Sequence, residues 1–207
     1  MRSILITIAF AILTSGCAIG VKHDYSYAEA NWNVNTQKPV AVAVHDDRHY
    51  IADSDKTPDF VGLSRGGFGN PFDVVTASGK PLADDMTTAV VNGLKSSGVK
   101  ARRVDIPATT PPPQALKAIL NAGAARALLI TLLEWKTDTF YITRLRYSVR
   151  AQIFDAGGKQ IARKEIDGTE TIEAKLLPSE VSKALGPVYR EKLDRLISDP
   201  LIREALK

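Results

Sequence analysis

The chain has 207 residues, with 27 Lys and Arg against 23 Asp and Glu, a formal charge of +4, and 44% apolar residues. That length supports one domain burying a proper core, and the balance is only moderately basic. A single cysteine excludes an internal disulfide, so stability must come from packing. In chain order, Met1-Arg2-Ser3 brings one positive charge, Ile4 to Leu13 is apolar except for Thr7, and Thr14, Ser15 and Gly16 are small. This is the layout of a secretory signal peptide, and the apolar run is too short for the roughly 20 residues of a membrane span.

The one cysteine follows at once. Leu13-Thr14-Ser15-Gly16-Cys17 resembles the lipobox of bacterial lipoproteins, with Thr14 in place of the usual leucine three positions before the cysteine. The resemblance implies cleavage between Gly16 and Cys17, a diacylglycerol joined to the Cys17 thiol, and acylation of the new amino terminus. Each buried methylene of such chains contributes about 0.8 kcal/mol, so several chains hold where one is marginal. Ala18-Ile19 follows Cys17, where enteric-type sorting reads an aspartate as an inner-membrane signal. The implied location is the periplasmic face of the outer membrane.

The expected organisation is a signal peptide over 1–16, a lipidated tether over 17–38 and one α/β domain over 39–207. In the tether, Tyr25, Tyr27 and Trp32 are unusual for a free linker and suggest docking on the domain or the membrane interface. Val40, Val42 and Val44 alternate with Ala41 and Ala43, the pattern of a central strand. Residues 46–79 are rich in Gly, Asp, Ser and Pro, with short strands expected at 60–63 and 72–76 around Ser64-Arg65-Gly66-Gly67-Phe68-Gly69-Asn70. A helix opens after Pro81, with Leu82, Met86, Ala89, Val90 and Leu94 on one stripe and Gly98 as its cap. Strand 99–106, helix 113–121 and buried strand 127–136 follow. Residues 139–155 alternate, placing Tyr141, Thr143, Leu145, Tyr147, Val149, Ala151 and Ile153 on one face. Ala156-Gly157-Gly158 turns into strand 159–171, and Pro178 opens a last helix.

The fold class expected is α/β (α+β): a two-layer sandwich with a mixed sheet of five to seven strands and three helices mainly on one face. The element order, with a first strand ending in Asp46-Asp47-Arg48 and a helix from Leu82 to Gly98, resembles the periplasmic domains of YajG-type and ABC-transporter auxiliary lipoproteins. That resemblance implies an envelope accessory protein without catalysis.

Three clusters carry possible chemistry. His45, Asp46, Asp47 and His49 hold metal-ligating types, but strand alternation turns Asp46 away and no ligand pair such as H-E-x-x-H supports them. The glycine-rich Ser64 to Asn70 lacks phosphate-loop spacing and reads as a tight, partner-facing hairpin. Arg144, Arg146 and Arg150 form a basic stripe. If Gly157-Gly158 sets the register, Glu165 and Asp167 lie near Arg144 and Arg146 and partly neutralise them; otherwise the stripe meets an anionic partner. Lys95, Lys100, Arg102 and Arg103 form a second patch. No G-x-S-x-G is present, and no cofactor or nucleic acid is implied.

The expectation is a membrane-anchored, non-enzymatic binding or assembly component of an envelope complex, with a protein partner. Its candidate partner-binding residues are Arg65, Phe68, Asn70, Arg144, Arg146 and Arg150. The alternatives are a carrier or sensor of an amphiphilic, anionic ligand such as lipid or lipopolysaccharide, and a metal-dependent enzyme at His45, Asp47 and His49.

Overall fold

The computed structural model describes residues 20–25, 32 and 34–207. Gly16 and Cys17 lie outside the described residues. Eight strands form one mixed sheet: β1 Lys22–His23, β2 Val40–Asp46, β3 Phe60–Arg65, β4 Pro71–Thr76, β5 Ala101–Arg103, β6 Arg126–Thr139, β7 Thr143–Asp155 and β8 Gln160–Ile172. The helices are α1 His49–Ala52, α2 Leu82–Ser96, α3 Pro112–Leu120, α4 Pro178–Ile197 and α5 Pro200–Leu206. The mixed α+β sandwich matches the expected class, although strand 99–106 shortens to the three residues of β5. Eight strands and five helices exceed the expected five to seven strands and three helices through the additions of β1, α1 and α5; the signal for α5 is Asp199 before Pro200, where the carboxylate accepts the Leu201 N–H at 3.0 Å.

The sheet is organised around β6. One edge pairs antiparallel with β7 along its length, and β7 pairs with β8. The other edge is shared. Residues 126–132 pair parallel with β2, and residues 137–139 pair parallel with β3. The sheet therefore forks on β6: one arm runs on to β5, the other through β4 to β1.

The faces follow from period-two alternation. Val40, Val42 and Val44 face α2, α4 and α5 together with Leu128, Ile130 and Leu132. Ala41, Ala43, Ala127 and Leu129 face the opposite way, under Ala115 and Ile119 of α3. Small alanines on that face let α3 come close to the sheet. Helix α2 ends where expected, with Gly98 at φ +81.

The segment expected as a tether is built into this core over its described residues. Val21, Tyr25, Trp32 and Val34 are buried in the main cluster. The Trp32 indole donates to Asp194 at 2.6 Å. Tyr25 packs edge-on against Trp135 and Tyr189, with ring centroids at 6.0 and 5.1 Å. Of the two docking surfaces open to Tyr25 and Trp32, they take the domain.

Candidate functional site

A bulge decides which side chains reach the surface. Pairing of β6 with β7 shifts between Leu132 and Glu134, leaving Leu133 as an extra residue. Before it the even positions Leu128, Ile130 and Leu132 point inward; after it the odd positions Trp135 and Thr137 do. One inserted residue reverses the facing of all that follow. Lys136 and Asp138 are thereby turned outward, directly opposite Arg146 and Arg144 of β7.

These four, with Arg65 from the end of β3 and the turn Phe140-Tyr141-Ile142, line an open cleft of about 460 Å³. Asp138 is its one carboxylate. It accepts from Arg65 Nε at 2.8 Å and Nη2 at 2.7 Å, a two-pronged pair. That bonding, helped by nearby Lys136 and Arg146, holds the Asp138 carboxyl below the usual carboxylate range. Arg65 Nη1 also donates to the Gly69 carbonyl at 3.3 Å, tying the β3–β4 hairpin to the cleft. Lys136 lies over the Tyr50 ring at 5.4 Å. Among the described residues, Arg144 and Arg146 form no ion pair, and both are exposed. A region with four cations and one anion is left with surplus positive charge.

Arg65 and Phe140 also wall a smaller cavity of about 120 Å³, reached by Val21, His23, Leu176 and Val181. His23 is 1% exposed, with Nε2 3.3 Å from Thr137 Oγ1. Burial lowers its pKa to about 4, against a smaller opposing effect of the Lys22 backbone.

The six expected partner-binding residues thus divide. Arg65, Arg144 and Arg146 converge in the cleft. Phe68 stands at the hairpin tip, fully exposed. Asn70 closes that hairpin, its carbonyl accepting the Gly66 N–H at 3.0 Å. Arg150 lies elsewhere, bonded to Glu165 at 2.9 Å in a shallow cleft with His45 and Asp47. The expected pairing of Arg144 and Arg146 with Glu165 and Asp167 is overturned. They face Thr171 and Thr169, because counting back from the Gly157-Gly158 turn sets Glu165 opposite Arg150 and Asp167 opposite Ser148, nearer the turn than either arginine. Tyr141 is not on the inward face of β7 either. It sits in the turn, 76% exposed.

The histidine cluster is dispersed. The Asp46 carboxylate is taken up by Arg48, receiving Nε at 2.7 Å and Nη2 at 2.6 Å. His45 Nε2 lies 2.6 Å from the Thr110 carbonyl. His49 lies on α1, edge-on to Tyr50, and does not line the cleft of His45 and Asp47. Among the described residues no three His, Cys, Asp or Glu are grouped to hold a metal ion. In the second basic patch, Arg103 is bonded to Asp84 and Asp105. Lys136, Asp138 and Phe140 are cleft residues beyond the six expected ones. Their signal was the alternation within Trp135-Lys136-Thr137-Asp138-Thr139, which a three-residue turn sets opposite Arg144 and Arg146.

No family model matches the chain, and no curated protein matches it. Solved structures that resemble it include XCC0632 from Xanthomonas campestris, described as DUF330, at 12% identity and TM-score 0.49 over 90% of this chain and 96% of that one. A PelC dodecamer from Paraburkholderia phytofirmans gives 17% identity and TM-score 0.38, over 72% and 86%. Lipoprotein GNA1162 from Neisseria meningitidis gives 15% and 0.31, over 73% and 97%. These are partial overlaps of chain trace, and nothing these proteins do follows from them for this chain. Among the described residues no helix is long and apolar enough to cross a membrane.

Proposed function

We propose that this chain is a lipid-anchored protein of the bacterial envelope, held through Cys17 at the periplasmic face of the outer membrane. Its domain acts as a non-enzymatic binding component of an envelope assembly, and its cleft receives an anionic partner. The observation that carries this reading is the charge balance of the cleft. Asp138 is engaged by Arg65, while Arg144 and Arg146 stand exposed beside Phe140 and Tyr141. Guanidinium groups flanked by aromatic rings suit carboxylate or phosphate groups carried on an amphipathic surface.

Binding at the surface is favoured over enclosing a ligand. Between sheet and helices, Tyr25, Trp135, Tyr147 and Tyr189 interlock at ring-centroid distances of 5.1 to 6.5 Å, where a carrier would need an internal cavity.

The test is a photoreactive side chain placed at Phe140 in the cell, with the captured species identified by mass spectrometry. An anionic species captured by the parent, and lost when Arg144 and Arg146 are both changed to Glu, is the expected result. Capture that is indifferent to those charges would overturn the assignment of the cleft.

A further inference from the structure

Three connections meet at one end of the sheet. β3 and β6 run parallel with Ser64 beside Thr139, Thr139 faces Thr143, and Thr143 faces Ile172. The hairpin tip 66–70, the turn 140–142 and the segment 173–177 therefore emerge side by side. They carry Phe68, Tyr141, Ile142, Leu176 and Leu177, exposed by 100, 76, 42, 47 and 59%. These are five of the seven large apolar side chains exposed among the described residues. Such clustering differs from the scattered apolar exposure of an ordinary surface. The cations of the cleft border the same end.

The course of the chain says what covers this end. β1 runs parallel to β4, with Lys22 beside Val75, so the start of β1 lies toward the start of β4 and the hairpin tip. Val21 and Leu176 border the same cavity there. Gly20 is three positions after Cys17, a reach of at most about 10 Å. With Cys17 lipidated, this end is held against the bilayer.

We propose that this end of the domain is a second membrane contact, docked on anionic phospholipid. Phe68, Leu176, Leu177 and Tyr141 reach the boundary between headgroups and acyl chains, and Arg144 and Arg146 take up lipid phosphates. The inference names the anionic partner of the cleft and rests on the lipid-anchor reading for its orientation. Aromatic and leucine tips ringed by arginine have the composition of an interfacial anchor, and acyl chains are reinforced when a basic patch acts with them.

The test uses full-length protein purified from membranes and reconstituted into vesicles of phosphatidylethanolamine and phosphatidylglycerol with brominated acyl chains. Two variants are compared with the parent, whose Trp32 and Trp135 are buried: Phe68→Trp at the proposed contact, and Leu201→Trp on α5 at the far end. The expected result is a blue shift and quenching for Phe68→Trp, none for Leu201→Trp, and loss of the quenching when Arg144 and Arg146 are also changed to Ser. Equal, unquenched emission from both tryptophan variants overturns the docking. Intact mass separates the two readings. Acyl groups on Cys17 with an unquenched Phe68→Trp variant would sink the docking and leave the anchor. Membrane-purified protein whose mass shows no acyl group, but whose Phe68→Trp variant is still quenched, would support the docking and sink the anchor. Capture of a protein at position 68 without quenching would also overturn it.

Discussion

Arg48 and Asp46 form an ion pair of 2.6 Å in which neither side chain is exposed. It sits at the fork, where β6 exchanges β2 for β3 as its neighbour. The guanidinium also donates to the carbonyls of Phe60 at 2.7 Å and of Trp135 and Pro58 at 3.3 Å. A parting sheet leaves carbonyl groups without ladder partners, and one planar group with five donors meets several at once. Burial works against the Arg48 charge; bonding to Asp46 more than offsets it and raises its pKa. Removing one partner strands the other. Asp46→Asn and Arg48→Met should each cost about 3–5 kcal/mol, read as a lower urea midpoint, whereas an effect below about 1 kcal/mol would contradict this role.

The same fork demands glycine at position 62. A Cβ there would lie 1.9 Å from Thr137 Oγ1 and 2.7 Å from the Thr137 carbonyl oxygen. Gly62→Ala should cost about 1–3 kcal/mol in thermal or urea unfolding. Adding Thr137→Ala should recover part of the loss, since it removes the hydroxyl and leaves the carbonyl. No recovery would place the strain elsewhere.

Acid should weaken the fold through His23. Its folded pKa is about 4, against 6.5 unperturbed. The unfolded chain therefore takes up a proton as pH falls below about 6.5, and the folded chain does so only near 4. The stabilisation of about 3 kcal/mol is whole above pH 6.5 and is lost as pH falls toward 4. Urea midpoints measured across this range should fall less steeply for His23→Asn than for the parent. Parallel curves would show that His23 does not contribute.

Truncation tests where the folded unit begins. A chain starting at Pro39 lacks Val21, Tyr25, Trp32 and Val34, all buried. At about 1.5–3 kcal/mol for each large side chain, the loss rivals the whole stability of a typical domain, about 5–15 kcal/mol. The Pro39 chain should unfold at much lower urea than one starting at Gly20. Equal midpoints would return residues 20–38 to the status of a tether.

For the anchor, Cys17→Ser should abolish incorporation of labelled fatty acid and leave the precursor uncleaved. Labelling that persists in this variant would remove the lipid from Cys17.

What was legible came from local repetition. The Val and Ala alternation of β2, the α2 stripe closed by Gly98, and the Arg144 and Arg146 face of β7 all follow from periods that neighbouring residues enforce. The lipobox resemblance of Leu13 to Cys17 is likewise a local pattern, five residues long, and lies outside the described residues. Asp46 and Arg48 were visible as a strand ending, but their bond is with a fork made by residues some 90 positions away.

Alternation, stripes and turns are written within a few residues of each other, so the sequence by itself determined the fold class, the order of its main elements and which faces are apolar. Tertiary structure decided the rest. It set where β6 bulges, so that Lys136 and Asp138 turn outward, which strands share its edge, and which tips meet beside the entering chain. The reason is that register depends on both partners. One extra residue at Leu133, or one shift between Ile153 and Phe154, re-aims every side chain that follows without changing the local pattern that announces a strand.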